Sequence, residues 1–191
     1  MACDTNSRVT LDDYLDYETE LLSIGLNPSL VSVQLGFYFA NPRNRFWRAL
    51  DSSQLLSEPL QVNAHVHERL AAEYRLGFTD VVKRATSSGG QLRAADFKRD
   101  APMLRAKLER YQPAWLWFHG KVAFQQLLFY AYGLRGQWHW GWNEVPQITS
   151  KVFVSPNPSS ANAIFSLQDL VTYYNELAMT MRASNERQNK A

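Results

Sequence analysis

The sequence predicts an α/β domain of three layers, with a short, mostly parallel central sheet flanked by helices. Three observations carry that expectation. Short apolar runs alternate with longer stretches of helical periodicity along the chain. Two of the apolar runs end in the same chemistry, an Asn-Pro turn: Gly25 to Ser29 reads "GLNPS" and Ser155 to Ser160 reads "SPNPSS". The chain of 191 residues is long enough for one good core and short for two. A single domain over residues 1–191 is therefore expected, with loosely ordered termini at roughly 1–18 and 184–191.

Each element has its own signal. Glu20 to Leu26 is an apolar run closed by a turn, a short buried strand. After the Asn-Pro-Ser turn comes a loop carrying Gly36, Phe37, Tyr38 and Phe39. Arg43 to Leu56 reads as a helix with Phe46, Trp47 and Leu50 on one face. Ala64 to Tyr74 reads as a second helix, stopped by Gly77, and "GFTDVVKR" from Gly77 as a strand or strand-like loop. Ala94 to Tyr111 is a long helix in which Pro102 either makes a kink or opens a new segment. "PAWLWFHG" is a buried strand ending at Gly120, and Val122 to Tyr132 is the helix after it. "QWHWGW" is too aromatic and Gly-broken for a helix and suggests a hairpin or loop. "KVFVSPNPSS" is a last strand running into a turn. Ser166 is placed to cap a final helix with Asp169 three residues on; that helix ends near Arg182, leaving "SNERQNKA" as a frayed tail.

Composition narrows the function classes. The net charge of +2 permits a nucleic-acid partner without demanding one. Six Trp, nine Tyr and ten Phe supply a bulky core, and some of those rings are candidate platforms for stacked bases. Cys3 is the single cysteine, which excludes a disulfide framework, a Cys-based zinc site and an iron–sulfur cluster. No apolar run approaches membrane-spanning length and no signal-peptide pattern opens the chain. The expectation is an intracellular monomer, in the bacterial cytoplasm or a eukaryotic nucleus.

In an α/β sheet, sites form at the carboxyl ends of the strands. Asn27 and Asn157 stand there, each followed by a proline that biases it towards an extended backbone. An amide offers two donors and an acceptor, enough to hold a water or the edge of a base.

These motifs carry a resemblance. "GLNPS" with "GFYFANPRNRFWRAL" resembles the first motif of the mismatch-specific uracil/thymine DNA glycosylases, family 2 of the uracil-DNA glycosylase superfamily: a Gly-Ile-Asn-Pro-Gly turn, a Gly-Phe-x-Phe-Ala loop, then Asn-Arg-Phe-Trp. "LGFTDVVKRAT", "YQPAWLWFHGKVAF" and "SPNPSSAN" are similar to the family's later segments, in order, from about Leu21 to Leu177. The resemblance implies the family's three-layer fold and a cofactor-free enzyme with no metal. Its substrate is double-stranded DNA holding a damaged or mismatched base, with single strands as a further form. It implies that Asn27 positions the water attacking C1′, that Phe39 stacks on the extruded base, and that Gly25, Leu26, Pro28 and Asn157 shape the base pocket. Ser159, Ser160, Ala161 and Asn162 take the place of the loop that enters the duplex. Lys121 at a helix start and Arg43 are candidates for DNA phosphates. Arg45, Lys83 and Arg84 are weaker ones, because solvated charges are the simpler reading.

Two departures stand out. Asp80 falls where family members carry Lys or Asn; a carboxylate there either activates water or caps the turn after Thr79. No bulky wedge or Arg stands directly after Asn-Pro-Ser; Ile164 and Phe165 come beyond Ala163. His119, at a strand end, reads as a packed or hydrogen-bonded histidine. Alternatives to a uracil enzyme are a glycosylase acting on deaminated purines or etheno adducts, and a damage-sensing DNA-binding module that does not cut.

Overall fold

The computed structural model describes residues 10–188. Cys3 and the outermost parts of both termini lie outside the described residues. Strands β1 (Leu21–Gly25), β2 (Leu76–Asp80), β3 (Trp115–His119), β4 (Gly141–Asn143) and β5 (Lys151–Ser155) form one sheet in the order β2-β1-β3-β5-β4. The first three and β5 run parallel; β4 pairs antiparallel with β5. β1, β2 and β3 are buried at all five positions, which is why they read as continuous apolar runs rather than alternations.

The helices are α1 (Leu30–Leu35), α2 (Phe46–Asp51), α3 (Val66–Tyr74), α4 (Ala94–Tyr111), α5 (Lys121–Tyr132) and α6 (Leu167–Gln188). Alternation along each strand sends side chains to opposite layers. Leu21, Phe78, Trp117 and Phe153 join Phe46, Trp47, Leu70 and Tyr174 from α2, α3 and α6. Leu22, Ile24, Phe118 and Val154 join Leu104, Leu108, Phe124 and Leu127 from α4 and α5. The outcome is the three-layer sandwich the sequence predicts.

Several elements differ from expectation, each for a local reason. Leu30–Leu35 is helical rather than loop, because the Ser29 side chain accepts from Ser32 N and Gly36 closes the end at φ 79°. α2 is shorter than Arg43–Leu56: Asn44 Oδ1 holds Phe46 N, and Ser53 N turns back to Leu50 O. α3 is stopped by Arg75 in the left-handed region, not by Gly77. Gly77 lies inside β2, where a Cβ would stand 2.3 Å from Tyr14 O. Pro102 sits within one continuous 18-residue helix. "QWHWGW" supplies β4, one arm of a hairpin with β5. The capping box at Ser166 and Asp169 is present, with Asp169 N bonded to Ser166 Oγ at 3.1 Å and Ser166 N to Asp169 Oδ2 at 2.6 Å. α6 then runs past Arg182, and buried Ser184 takes a hydrogen bond from Lys151.

The expected loose N-terminal stretch also differs. Tyr14 exchanges backbone hydrogen bonds of 2.9 Å with Phe78, which covers the open edge of β2. Leu11 is buried, and the Asp13 carboxylate takes Lys83, Lys107 and Thr79. Its place at the chain terminus suggests looseness, but Asp13 is paired across the chain with Lys83 and Lys107.

Candidate active site

Strand register builds the floor of the site. Gly25 pairs with Asp80 and His119 with Ser155, while Ile24 pairs with Phe118. The last residues of four parallel strands therefore form one row, Asp80–Gly25–His119–Ser155, on the layer of Phe78, Trp117 and Phe153. The chain leaves β1 for β2 on one side and reaches β3 on the other, so Gly25 and His119 flank the topological switch point, where α/β sheets bind ligands. Gly25 is the gap in that row. A Cβ there would lie 2.2 Å from Asp80 Oδ1, so the carboxyl group fills the space above the glycine.

A cleft of about 190 Å³ opens over this floor, lined by Gly25, Leu26, Asn27, Pro28, Phe39, Asp80, His119, Asn157, Ser159 and Ser160 among others. Cavities of about 150 Å³ hold one benzene-sized ring, so the space suits a single base.

Asn27 is held by its nitrogen. Nδ2 donates to Arg84 O at 2.9 Å, Thr86 Oγ1 at 2.7 Å and Pro28 O at 3.2 Å. Thr86 spends its own proton on Ser88 O at 2.8 Å, so it can only accept from Asn27. A flipped amide would set oxygen against these acceptors. Oδ1 is thereby left as the group Asn27 offers to the cleft, an acceptor for a water proton.

Asp80 is buried, and its Oδ2 has no hydrogen-bond partner. Burial pushes its carboxyl up to about 7, against the attraction of Lys83 and with a smaller push from Asp13. Among the described residues no backbone N–H reaches the carboxylate, so the turn-cap alternative fails. A carboxylate poised near neutral pH is suited to take a proton from water.

Phe39 has φ 55°, an uncommon left-handed backbone for a bulky residue. Its ring stacks on Phe46 with centroids 4.0 Å apart and meets Trp47 edge-on. One face is backed by the core, and the residue lines the cleft. The loop around it is fixed by Trp47 Nε1 donating to Tyr38 O and Ala40 N donating to Ser32 Oγ. Phe46 and Trp47 are core residues, as their buried positions show.

Asn157 is partly committed: its Oδ1 accepts from Ser159 N at 2.9 Å, which leaves Nδ2 and one lone pair of Oδ1 for a ligand. Arg45 corrects an expectation. Rather than meeting phosphates, its guanidinium donates to the carbonyls of Pro158, Ser159, Asn162 and Phe165 and holds the loop after Asn157. Lys83 and Arg84 are likewise tied, to Asp13 and Asp96. Lys121, Arg43, Ala161 and Asn162 are not in the cleft lining. Lys121 Nζ lies 4.7 Å over the Trp140 ring, Arg43 and Ala161 are exposed, and Asn162 Nδ2 braces Asn157 O.

Sequence reasoning missed Thr86 and the loop-holding role of Arg45, both of which depend on long-range contacts. It also missed Ser23, whose Oγ lies 2.8 Å from His119 Nε2. The available signal was a lone serine within an apolar strand. Among the described residues no group of three or more His, Cys, Asp or Glu is placed to hold a metal ion, and no helix is long and apolar enough to cross a membrane.

Fold and cleft together define an α/β protein with a nucleobase-sized pocket at its switch point. Residues 13–178 match the model of the uracil DNA glycosylase superfamily, and the chain belongs to that superfamily. Its members are DNA glycosylases, hydrolases that act on DNA. The fold is also that of a protein from Methanosarcina acetivorans whose solution NMR structure carries a provisional assignment as a uracil DNA glycosylase. The two align with a TM-score of 0.58 and 23% identity, over 87% of this chain and 94% of that one.

Proposed function

We propose that this protein is a monofunctional glycosylase of the mismatch-specific branch, which flips uracil out of double-stranded DNA, chiefly opposite guanine, and leaves an abasic site. The observation that carries the reading is that two unlike acceptors line one cleft: the anchored Asn27 amide and the buried Asp80 carboxylate, whose Oδ2 has no hydrogen-bond partner.

Extruding a base costs about a few kcal/mol and is cheaper at a mismatch. The extruded ring enters the cleft against Phe39, where base–aromatic stacking contributes about 1–3 kcal/mol. Ile164 is 86% exposed in the loop that Arg45 clamps, and it serves as the apolar wedge filling the vacated place in the duplex. Lys121 and Arg43 meet the DNA phosphates outside the pocket. A water bound between Asn27 Oδ1 and Asp80 gives one proton to the carboxylate as its oxygen forms the bond to C1′. The C1′–N bond breaks, and its electron pair leaves with the base as an anion. The low total charge suits this chemistry, since the DNA phosphates stabilise the positive charge on the sugar.

The test is base release from duplexes carrying uracil, thymine, hypoxanthine, xanthine or etheno-cytosine opposite each normal base, and from the same strands unpaired. The fastest release is expected for uracil opposite guanine. A preference for hypoxanthine, xanthine or the etheno adduct would replace the uracil assignment, and binding without any release would replace the enzyme.

A further inference from the structure

Among the described residues that line the cleft, Asp80 is the single Asp, Glu, Lys or Arg. A buried carboxyl in such a place ionises only with help from charge behind the wall. A cation stands one side chain back. Lys83 Nζ lies 3.4 Å from the Tyr38 hydroxyl, and Tyr38 is a buried residue of the cleft lining.

Lys83 is not a loose surface cation. Its backbone is clamped on both sides, the N–H donating to Asp100 Oδ2 at 2.8 Å and the carbonyl accepting from Thr10 Oγ1 at 2.6 Å. Its ammonium group donates to Asp13 Oδ1 at 2.7 Å, and the two side chains are only 26% and 14% exposed. Asp13 is delivered by the N-terminal arm, which the Tyr14–Phe78 backbone pair fastens to the edge of β2. The same carboxylate takes Thr79, the residue before Asp80, and Lys107 from α4. Tyr38 packs on Phe78 with centroids 5.8 Å apart, and strand alternation puts Phe78 and Asp80 on one layer. The ion pair therefore sits at the sheet edge beside the cleft, where burial lets charges act on one another without contact.

The other ionisable groups around Asp80 are accounted for. Burial holds the Tyr38 phenol protonated and keeps His119 neutral, pulling it down to about 3. Asp12 meets the Tyr38 hydroxyl through its backbone carbonyl. Arg84 is turned to Asp96, and Asp100 is paired with Arg99. Burial raises Asp80 most; Lys83 then draws it down and Asp13 pushes it up.

We propose that Lys83 and Asp13 form a countercharge pair that sets the ionisation of Asp80: the ammonium group favours the carboxylate form, and the carboxylate carried by the N-terminal arm opposes it. The arm is thereby part of the machinery that readies the base. Lys83 and Asp13 are positioning residues, because each acts through Asp80 and neither lines the cleft. This deepens the glycosylase reading and rests on it for the role of Asp80.

The experiment takes two readouts on the full chain across the acid limb. One is the carbon-13 resonance of the Asp80 carboxyl, recognised by its loss in Asp80→Asn. The other is the single-turnover rate of uracil release, read relative to each protein's own high-pH plateau. In the wild type both should turn at about 7. Lys83→Gln should move both midpoints up by about one unit, as loss of a nearby opposite charge does, so relative release at about pH 6 falls about tenfold. Asp13→Asn should move both midpoints down by about half a unit to one unit, as loss of a like charge does, raising the same relative rate about two- to fivefold. Lys83→Arg keeps the charge and should keep the midpoints, and the double variant should fall between the two singles. Melting curves establish that each variant is folded, with Lys83→Met as the substitute if Lys83→Gln is not. A merely structural ion pair would lower the melting temperature in both variants and leave the carboxyl midpoints in place, or move them the same way; either result overturns the proposal. If the carboxyl midpoints move in opposite directions while the rate profile stays put, or while the wild type releases no base, the countercharge pair stands and the glycosylase role of Asp80 fails.

Discussion

Replacing Asp80 by Asn separates a working carboxylate from a structural one. The side chain is 4% exposed and its carboxyl is pushed from an ordinary 3.8 up to about 7. If the ionised form takes a proton from the attacking water, the wild-type rate follows the ionised fraction. That fraction is about one half at pH 7 and about one hundredth at pH 5, so single-turnover release of uracil should fall about 50-fold between them, with unit slope. Asp80→Asn should lower the rate at pH 8 by about 10²–10⁴-fold and flatten that limb. Stability supplies an independent reading. The folded pKa lies above the unfolded one, so between about 4 and about 7 the folded state binds more protons, and wild-type stability falls as pH rises through that window. Asp80→Asn lacks this penalty. Its stability relative to wild type should rise across the window and level off above about pH 7 at on the order of 4 kcal/mol, from roughly three pKa units at 1.36 kcal/mol each. Urea unfolding at pH 4, 6 and 8 measures this, and differencing the two proteins cancels the oppositely shifted Asp13 and Asp100. An unchanged pH–rate profile in Asp80→Asn would remove Asp80 from the chemistry, whatever the stability shows.

Other substitutions probe the rest of the cleft. Asn27→Ala should lower release by orders of magnitude and leave DNA affinity nearly intact, whereas Asn27→Asp should also destabilise, by about 1–3 kcal/mol, because it sets carboxylate oxygen against Arg84 O; rates and melting curves check both. Phe39→Leu keeps an apolar contact with Phe46 but loses the stack, so processing of every base should weaken by about 1–3 kcal/mol, read as kcat/KM. Gly25→Ala should abolish release while DNA binding, measured by anisotropy, persists, since the new methyl displaces the Asp80 carboxyl.

Much of this site was legible before the fold. Asn27 and Asn157 were marked by the proline after each, and both line the cleft. Asp80 was marked by the family resemblance, as a departure where members carry Lys or Asn, although its ionisation was not, because that depends on burial by residues far along the chain. What stayed hidden shares that cause. Arg45 looks like any surface arginine until the loop over a hundred residues on folds against it. Ser23 and His119 are 96 positions apart and meet only through the β1–β3 register. Secondary structure was misread where a local cap outweighed pattern, as at Ser29 and Gly36 around α1, or where edge pairing tied down a terminal stretch, as at Tyr14.

The central claim is hydrolysis of a glycosidic bond. Its most direct test is the mass of a uracil-containing strand, paired opposite guanine, after incubation with the protein. The account predicts free uracil together with an unbroken strand that has lost uracil and gained water, and that breaks only on later treatment with alkali. A strand of unchanged mass would contradict it, and so would a strand broken before alkali is added.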